Sequence, residues 1–455
     1  MNIAVLGGGV EGTAIKKYFA SDENHVQIFD NFKDEDVPEF HLDDYDLIFR
    51  SPSVHPWWIN KSVKSTEVNS DNWTSNTNYF FENCKAPVIG VTGTKGKGTM
   101  SSMIKAILEE VIKNSEWKSR TVHLIGNYGV PAIEELDKIA NDDIVVFELS
   151  SFQLWDLFVK CKPGEANPPH IAVVGRVEPD HLDRHKDFAD YVSAKSNITT
   201  YQKPEDYCIY YGDNQVSKEI SECSAGTRID YTKSNIPSEF LDCLTIPGQH
   251  NRENASAAIN AAAAFFHMNL DEFLAENGDA VKTALKNFKS LPHRLEYVTT
   301  KNNVDYYDDN YSSAFPALDV ALKAFEDRPV ILIAGGKDRH LDLTETKNRI
   351  FRNAKNLKRV ILIGETAETL AKDEDPAKYE IADSLERAVY LAGKTAEKIA
   401  EDINSNYDLC IPATNAAKNG EAPKNPVVLM SPGAASFDMF KNFSDRGDQF
   451  KKLVL

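Results

Sequence analysis

A glycine-rich segment with two lysines is the part of this chain with the clearest chemical potential. Residues 88–99 read VIGVTGTKGKGT, so an apolar run rich in β-branched residues precedes the glycines. The apolar spacing of residues 100–111 is typical of a helix. Backbone N–H groups around Gly93 and Gly96 can converge on a phosphate, and Lys97 can reach its outer oxygens. The spacing predicts a strand, a phosphate loop and a helix that bind ATP.

The residue after Lys97 departs from the common phosphate-loop pattern, in which a hydroxyl residue follows the lysine and holds magnesium. Gly98 occupies that position, and Thr99 comes one residue later. Either Thr99 supplies the oxygen, or the metal relies on ligands elsewhere in the chain. A glycine-bearing turn with a solvated lysine is the structural alternative for the whole segment.

Groups that could complete a magnesium site follow two later strand-like runs. Glu148 closes the first run, where ligands gather in an open α/β sheet, so it is well placed to hold magnesium. His181 lies in the segment EPDHLDRH, whose density of acidic and imidazole groups suits a magnesium or phosphate site. An edge carboxylate and a capping or core histidine are the structural alternatives. Lys195 falls beside an apolar helix face, where desolvation would favour its neutral, reactive form.

The N-terminal 30 residues have the pattern of a dinucleotide-binding unit. Residues 2–6 predict a strand, the turn GGGVEG follows, and a helix and second strand lead to Asp30. The same turn can hold any diphosphate, including that of a UDP-sugar. A dinucleotide-dependent oxidoreductase is therefore the rival class, and the later ATP loop counts against it.

Two further patterns lie in the second half of the chain. Asn251 and Asn254 fall one helical turn apart, which suits an adenine edge as well as helix capping. Beyond residue 291, strand-like and helix-like runs alternate and predict a third α/β domain with a largely parallel sheet. The predicted domains are residues 1–86, 87–291 and 292–455.

Composition limits the classes of function. The chain has 455 residues and a net charge of −18, which disfavours a broad nucleic-acid surface. We expect no membrane span, because no apolar run approaches the roughly 18 residues required. The chain begins directly with a strand, so we expect a cytosolic protein. Six cysteines lack paired CxxC spacing, which argues against a structural zinc site or a disulfide framework.

Seven segments, taken together and in order, resemble the Mur ligase family. They are GTKGKGT, ELSSFQL, EPDHLDRH with a downstream AK, GQHNRENA, LPHRLE, GGKDR and SPGAASFDMFKNFSDRG. The resemblance covers nearly the whole chain, and ELSSFQL with the last segment is most similar to the member that adds D-glutamate. It implies a Rossmann-like N-terminal domain, a central P-loop ATPase domain with a mainly parallel sheet, and a Rossmann-like C-terminal domain that receives the amino acid.

The resemblance also implies a reaction. ATP would phosphorylate the carboxylate of UDP-N-acetylmuramoyl-L-alanine, the amine of D-glutamate would attack the acyl phosphate, and phosphate would leave. The expected setting is peptidoglycan precursor synthesis in the bacterial cytoplasm, by a monomer that acts on small molecules and binds neither nucleic acid nor membrane.

Roles for individual residues follow from the same resemblance. The ATP-binding residues would be Gly93, Thr94, Lys95, Gly96, Lys97, Gly98, Thr99, Asn251, Asn254, Arg294 and Asp309. The UDP-sugar-binding residues would be Gly9, Val10, Glu11, Asp30, Asn31, Ser51, Asn127, Ser150 and Gln153. The amino-acid-binding residues would be Ser313, Arg339, Ser436 and Phe443. The catalytic residues would be Lys97, Glu148, His181 and Lys195. Two magnesium ions would be held by Thr99, Glu148, His181 and Lys195, the last as a CO2-derived carbamate.

Several residues depart from the family pattern. The loop with Gly98 reads more like that of the related folylpolyglutamate synthases. Tyr311 stands where the D-glutamate-adding enzymes carry a lysine, while Ser313 would keep the hydroxyl of the usual threonine. Ser53 replaces the glycine of the family's SPG segment. A ligase with another acceptor such as L-glutamate, a folylpolyglutamate synthase and a catalytically silent nucleotide-binding protein therefore remain as alternatives.

Overall fold

The computed structural model describes most of the chain. The described residues are 1–30, 44–54, 72–113, 115–126, 130–158, 161, 166–340, 342–409 and 424–455. They form two compact units. The first combines Met1–Leu244 with Arg252–Asn287, and the second combines Thr245–Asn251 with Phe288–Leu455.

The first unit begins with a four-stranded parallel sheet in the order β2-β1-β3-β4. Its strands are β1 (Asn2–Leu6), β2 (His25–Phe29), β3 (Leu47–Arg50) and β4 (Trp73–Ser75), and its helices are α1 (Val10–Tyr18) and α2 (Asn76–Asn83). Ile3 and Val5 project from β1 into a core shared with Ile15 and Phe49. A Cβ at Gly12 would lie 2.0 Å from the carbonyl oxygen of Gly7, so only glycine lets α1 pack this closely on the turn.

The second sheet of this unit has six parallel strands in the order β10-β9-β8-β5-β7-β6. The strands are β5 (Val88–Thr92), β6 (Val122–Gly126), β7 (Ile144–Glu148), β8 (Ile171–Val174), β9 (Tyr207–Tyr210) and β10 (Thr227–Asp230). All residues of β5, β7 and β8 are buried. Such uninterrupted burial is typical of parallel strands that helices cover on both faces.

Helices connect these strands and continue into the second half of the unit. They are α3 (Lys97–Ile112), α4 (Ala132–Glu135), a 3-10 turn (Leu136–Lys138), α5 (Ser151–Leu154), α6 (Phe188–Thr200), α7 (Gln215–Glu222), α8 (Ser238–Leu241), α9 (Gln249–Phe265) and α10 (Leu270–Asn287). The carboxyl ends of β5, β7 and β8 meet at one edge of the sheet, and the loops that follow them carry most of the predicted chemistry.

The second unit contains the third sheet, ordered β11-β12-β16-β13-β14-β15, in which only β11 is antiparallel among the described strands. The strands are β11 (Glu296–Lys301), β12 (Val304–Asp308), β13 (Val330–Gly335), β14 (Leu357–Ile363), β15 (Tyr379–Ile381) and β16 (Val427–Met430). The helices are α11 (Phe315–Lys323), α12 (Thr344–Asn348), a π-helical turn (Arg349–Asn353), α13 (Ala367–Ala371), α14 (Leu385–Leu409) and α15 (Phe443–Val454).

Alternate residues of the third sheet enter two separate cores. Leu332 and Leu362 pack on one face, whereas Ile331 and Ile333 pack on the other. This period-2 division places a helical layer on each side of the sheet.

The predicted α/β fold with mainly parallel sheets is confirmed. The boundaries predicted after residues 86 and 291 stay predictions. The five cysteines in the described part of the chain, Cys84, Cys161, Cys208, Cys223 and Cys243, are free thiols. No helix within the described residues is long and apolar enough to cross a membrane.

Candidate active site

The glycine-rich loop follows β5 and begins α3. Gly93 and Gly96 have φ angles of +149° and +82°, which side-chain-bearing residues rarely adopt. A Cβ at Gly96 would also lie 2.8 Å from Asn254 Oδ1, so α9 approaches the loop closely. Thr94 anchors the loop, because its backbone N–H donates to Arg176 O at 2.8 Å. The loop thus presents backbone N–H groups at the start of a sixteen-residue helix, as a phosphate site requires.

Two lysine amines converge beneath this loop. Lys97 Nζ donates to the carbonyl oxygens of Gly93 and Thr94, both at 3.1 Å. Lys195 Nζ, carried by α6, donates to the same Gly93 oxygen at 2.9 Å and to Thr92 Oγ1 at 3.3 Å. Burial lowers the pKa of Lys195 well below its ordinary value, and the charge of Lys97 lowers it further. The side chain is 1% exposed, and this desolvation disfavours the charged form of the amine.

Glu148 lies at the end of β7 and His181 on the loop after β8, and these strands flank β5, which leads into the glycine-rich loop. Glu148 ends β7, directly beside Val91 of β5, and is 3% exposed. His181 follows β8, and its ring packs 5.2 Å from that of Phe152. Burial lowers the pKa of His181, with smaller contributions from Lys95 and Lys97 against that of Asp180. A carboxylate and a neutral imidazole are competent metal ligands.

Thr99 lies in the first turn of α3 and is partly exposed, as the next hydroxyl after the loop. The donor set of Thr99, Glu148 and His181 therefore offers oxygen and nitrogen ligands to a cation. Magnesium favours oxygen ligands and retains several waters, so this set fits a magnesium ion that also binds phosphate oxygens.

A buried relay that sequence reasoning missed supports these loops. Ser151 Oγ lies 2.9 Å from His185 Nε2, and His185 Nδ1 lies 3.0 Å from Asp190 Oδ2. The His185 ring stacks on Phe152 at 5.1 Å. Ser151 and His185 are 2% and 3% exposed, so the arrangement positions α5 and does not present a nucleophile. The dense segment EPDHLDRH indicated the region but not Ser151, which lies 34 residues earlier.

The N-terminal turn is open on its outer side. Gly9 and Val10 are exposed, Val10 by 77%. Asp30 lies against Gly8, because a Cβ there would be 2.8 Å from Asp30 Oδ2. Ser51 N–H donates to Leu6 O at 2.9 Å, which places Ser51 beside the same turn. The structure therefore brings together these predicted UDP-sugar residues.

Glu11, Ser150 and Gln153, also predicted for the UDP-sugar, form one hydrogen-bonded group. Gln153 Nε2 and Asn76 Nδ2 each donate to the Glu11 carboxylate at 3.1 Å. Burial raises the pKa of Glu11. Ser150 caps α5, and its backbone N–H donates to Gln153 Oε1 at 2.9 Å. These contacts join α1 and α2 to the loop after β7.

The second unit holds another buried polar group after β12. His293 Nδ1 lies 2.7 Å from Asp308 Oδ2. Asp309 accepts hydrogen bonds from Ser431 Oγ at 2.7 Å and from Leu295 N–H at 3.2 Å. Burial raises the pKa of Asp309 to about 7 in spite of these hydrogen bonds. The predicted ATP residue Asp309 is therefore an aspartic acid that titrates near neutral pH.

Arg446 connects this group with the loop after β16 and was not among the predicted site residues. Its Nε donates to Asn310 Oδ1 at 2.6 Å, and Nη2 donates to Ala434 O at 3.1 Å. Arg446 is fully buried, and burial lowers its pKa to about 10. The same loop carries Ser436, which is buried.

The predicted amino-acid residues lie at this edge of the third sheet. Arg339 Nη2 donates to Ser313 O at 3.3 Å. Phe443 begins α15, and its ring meets that of Tyr311 edge to face at 5.2 Å. The Arg294 guanidinium lies 3.8 Å from the centroid of the Tyr311 ring.

Apart from the UDP-sugar residues at the N-terminal turn, the structure forms two groups of predicted site residues, one in each compact unit. The loop of residues 93–99 lies with Glu148, His181, Lys195 and Asn254 in the first unit. Asn251, whose Nδ2 donates to Pro247 O at 2.7 Å, belongs to the second unit with the amino-acid residues. Asn31 and Asn127 lie outside the described residues.

The sequence is similar to a family model over its middle part and to curated relatives over nearly its whole length. Residues 91–262 match the family model of the Mur ligase middle domain. The chain is 31% identical to the UDP-N-acetylmuramoylalanine--D-glutamate ligase of Acetivibrio thermocellus, over 99% of this chain and 96% of that protein. It is 31% identical to the ligase of the same name from Streptococcus thermophilus, over 90% of this chain and 82% of that protein.

Solved structures show the same fold at low sequence identity. MurF from Acinetobacter baumannii aligns with a TM-score of 0.54 and 15% identity, over 83% of this chain and 79% of that one. MurF from Thermotoga maritima, solved in complex with ADP, aligns with a TM-score of 0.52 and 16% identity, over 90% of this chain and 89% of that one.

Proposed function

Because the chain belongs to the Mur ligase family, we propose that it is an ATP-dependent ligase that joins D-glutamate to UDP-N-acetylmuramoyl-L-alanine. Full-length similarity to D-glutamate ligases supports these substrates. One structural observation carries the reaction class: Lys97 and the buried Lys195 share the Gly93 carbonyl beneath a phosphate loop. This pairing supports the proposal, because phosphoryl transfer needs controlled positive charge beside the phosphate.

The proposed reaction has two steps. A carboxylate oxygen of the UDP-linked alanine attacks the γ-phosphorus of ATP, and the bond from that phosphorus to the bridging oxygen breaks, which leaves ADP and an acyl phosphate. The D-glutamate nitrogen then attacks the acyl carbon and loses a proton, and inorganic phosphate leaves. Catalysis of such steps depends on positioning and charge neutralisation rather than on a protein nucleophile. Lys97 is the residue that we assign to the transferring phosphate.

Thr99, Glu148, His181 and a modified Lys195 would hold two magnesium ions. When bound, magnesium neutralises charge on the phosphate oxygens. Burial lowers the pKa of the Lys195 amine, which suits reaction with CO2: the nitrogen of the uncharged amine bonds to the carbon, one proton leaves, and a carbamate remains. This change would turn a buried amine into an anionic oxygen ligand.

We assign the three substrates to three sets of residues. The open turn at Gly9 and Val10, with Asp30 and Ser51 beside it, would bind the UDP end. Ser313, Arg339, Ser436 and Phe443 would bind the incoming amino acid, and Asn251, Asn254, Arg294 and Asp309 would bind the nucleotide. The proposal includes a monomeric enzyme in the bacterial cytoplasm.

The test is phosphate release from ATP with UDP-N-acetylmuramoyl-L-alanine and one amino acid at a time. We expect release that depends on D-glutamate and is absent with L-glutamate. Release with only another amino acid would support a ligase with a different acceptor. This outcome is worth testing because Tyr311 departs from the family pattern. Release without any amino acid dependence, or no release at all, would contradict the proposal.

A further inference from the structure

Arg294 lies in a turn whose backbone is held in an unusual conformation on both sides. The flanking residues His293 and Leu295 have φ angles of +62° and +46°. Such left-handed angles are costly for residues other than glycine and persist only where surrounding contacts enforce them. Strained positions of this kind concentrate at functional sites. The turn therefore fixes where the Arg294 side chain leaves the backbone.

Both flanking residues are anchored by buried contacts. His293 bonds Asp308 through its ring, and its backbone N–H donates to Glu296 Oε2 at 2.9 Å. Leu295 N–H donates to the Asp309 carboxylate. His293 and Leu295 are each 5% exposed, whereas Arg294 is only partly buried. The arginine is thus the one residue of this three-residue turn that is directed toward solvent.

Tyr311 contacts this turn through both its backbone and its ring. Its backbone N–H donates to His293 O at 3.0 Å, and its ring carries the Arg294 guanidinium at 3.8 Å. Phe443 supports the ring edge to face, with an interplanar angle of 85°. A guanidinium that stacks on an aromatic face keeps its N–H donors available in its own plane.

The Arg294 guanidinium makes no hydrogen bond to any residue in the described part of the chain. It contacts the Tyr311 ring, and its charge lowers the pKa of Asp309 against the larger effect of burial. Arginine presents a planar set of donors that matches carboxylate and phosphate oxygens. The stacked side chain consequently has the chemistry of an oxyanion ligand site.

We propose that Tyr311 is a positioning residue that presents the Arg294 guanidinium to an oxyanion of the reaction, either a carboxylate of the incoming amino acid or a phosphate of the nucleotide. The proposal rests on the proposed function for the identity of these two substrates. In this proposal the aromatic ring of Tyr311 holds the Arg294 cation in place. Phe443 acts with Tyr311 by supporting the ring.

Initial-rate kinetics of the full chain test this proposal, with Tyr311→Ala and Tyr311→Phe as the main variants. Loss of the ring in Tyr311→Ala should raise the KM of one substrate about 5-fold to 30-fold, with a smaller change in kcat. Tyr311→Phe keeps the stacking face and should stay within about 2-fold of the wild type. A rise in KM for D-glutamate identifies a carboxylate, and a rise in KM for ATP identifies a phosphate.

The chain offers a matched control. Tyr390 on α14 is 55% exposed, compared with 48% for Tyr311, and it also carries an arginine, Arg387, over its ring at 5.4 Å. Tyr390→Ala should leave both KM values unchanged. An Arg294→Ala variant should show the same substrate-specific defect as Tyr311→Ala, and the double variant should lose less than the product of the two single effects.

Two results would overturn the proposal. One is a Tyr311→Ala variant with wild-type KM values for both substrates, and the other is a Tyr311→Phe variant as impaired as Tyr311→Ala. Failure of the proposed function can be distinguished from failure of this proposal, because the wild-type protein itself would then show no phosphate release that depends on D-glutamate. In that case binding of ATP and of D-glutamate is measured by calorimetry, and dissociation constants that are unchanged in Tyr311→Ala for both ligands overturn the proposal.

Discussion

Arg50 and Asp156 form a buried ion pair with two hydrogen bonds, at 2.7 Å from Nε and 2.9 Å from Nη2. Arg50 ends β3 of the first sheet, and Asp156 follows α5 beside the second. The guanidinium also donates to the carbonyl oxygens of Phe152 and Val54, at 2.8 Å and 3.0 Å. The pair therefore joins the segment after β3 to the helix that follows the Glu148 strand.

Loss of the Asp156 carboxylate should destabilise the first unit strongly. Asp156→Ala would leave the Arg50 charge buried, at 1% exposure, without its counterion. Breaking a buried pair in this way costs about 3–5 kcal/mol. Denaturant unfolding followed by tryptophan fluorescence measures the change. The partly exposed pair of Arg359 and Glu380 is the control, and a Glu380→Ala variant as unstable as Asp156→Ala would contradict the expectation.

Lys97 should be required for turnover but not for folding. Lys97→Ala removes the cation that binds the Gly93 carbonyl of the glycine loop, and we expect kcat to fall by about 10²-fold to 10³-fold or more. Phosphate release measures the rate, and circular dichroism checks the fold. Lys113→Ala, near the other end of α3 and 63% exposed, should retain wild-type activity. A fully active Lys97→Ala enzyme would remove the proposed mechanism.

The carbamate proposed for Lys195 predicts chemical rescue. Lys195→Ala should lose about 10²-fold or more in rate, because an anionic ligand disappears. Formate or acetate should restore part of this activity, whereas neither should restore Lys97→Ala. Wild-type activity should respond to added bicarbonate. If none of the three anions has any effect, the carbamate is wrong.

Asp309 should make the stability of the second unit depend on pH. Its pKa is raised to about 7 by burial, so the folded protein binds a proton more tightly than the unfolded chain. The stabilisation is complete below about pH 4 and is lost as the pH rises to about 7, by at most about 4 kcal/mol. Asp309→Asn remains neutral and should therefore become relatively more stable than the wild type over this interval.

Chemical unfolding at pH 5 and pH 8 measures this difference for the Asp309→Asn variant. The exposed Asp402 on α14 provides the control, and Asp402→Asn should follow the wild type at both values. A stability difference between Asp309→Asn and wild type that does not change between pH 5 and pH 8 would contradict the raised pKa of Asp309.

The spacing of residues along the chain was sufficient to predict those strands, turns and helices that depend on residues close together in sequence. Strand, glycine loop and helix at residues 88–112 could be predicted because glycine placement and apolar periodicity act within a few residues. The same holds for the strand before Glu148 and for the alternating strands and helices beyond residue 291. The observed helix α3 begins at Lys97, earlier than the predicted residue 100, because its polar first turn carries little apolar signal.

By itself, then, the sequence determined the fold class, the phosphate loop, the family and the candidate residues. Only the tertiary structure decided which of those residues meet. Arg50 finds Asp156 across 106 residues, and Lys195 reaches Gly93 across 102. Such partners depend on the order of strands in the sheets and on burial, which alters charge and pKa. Neither property is a function of local spacing, so the Arg294 and Tyr311 stack and the relay through His185 became visible only in the folded chain.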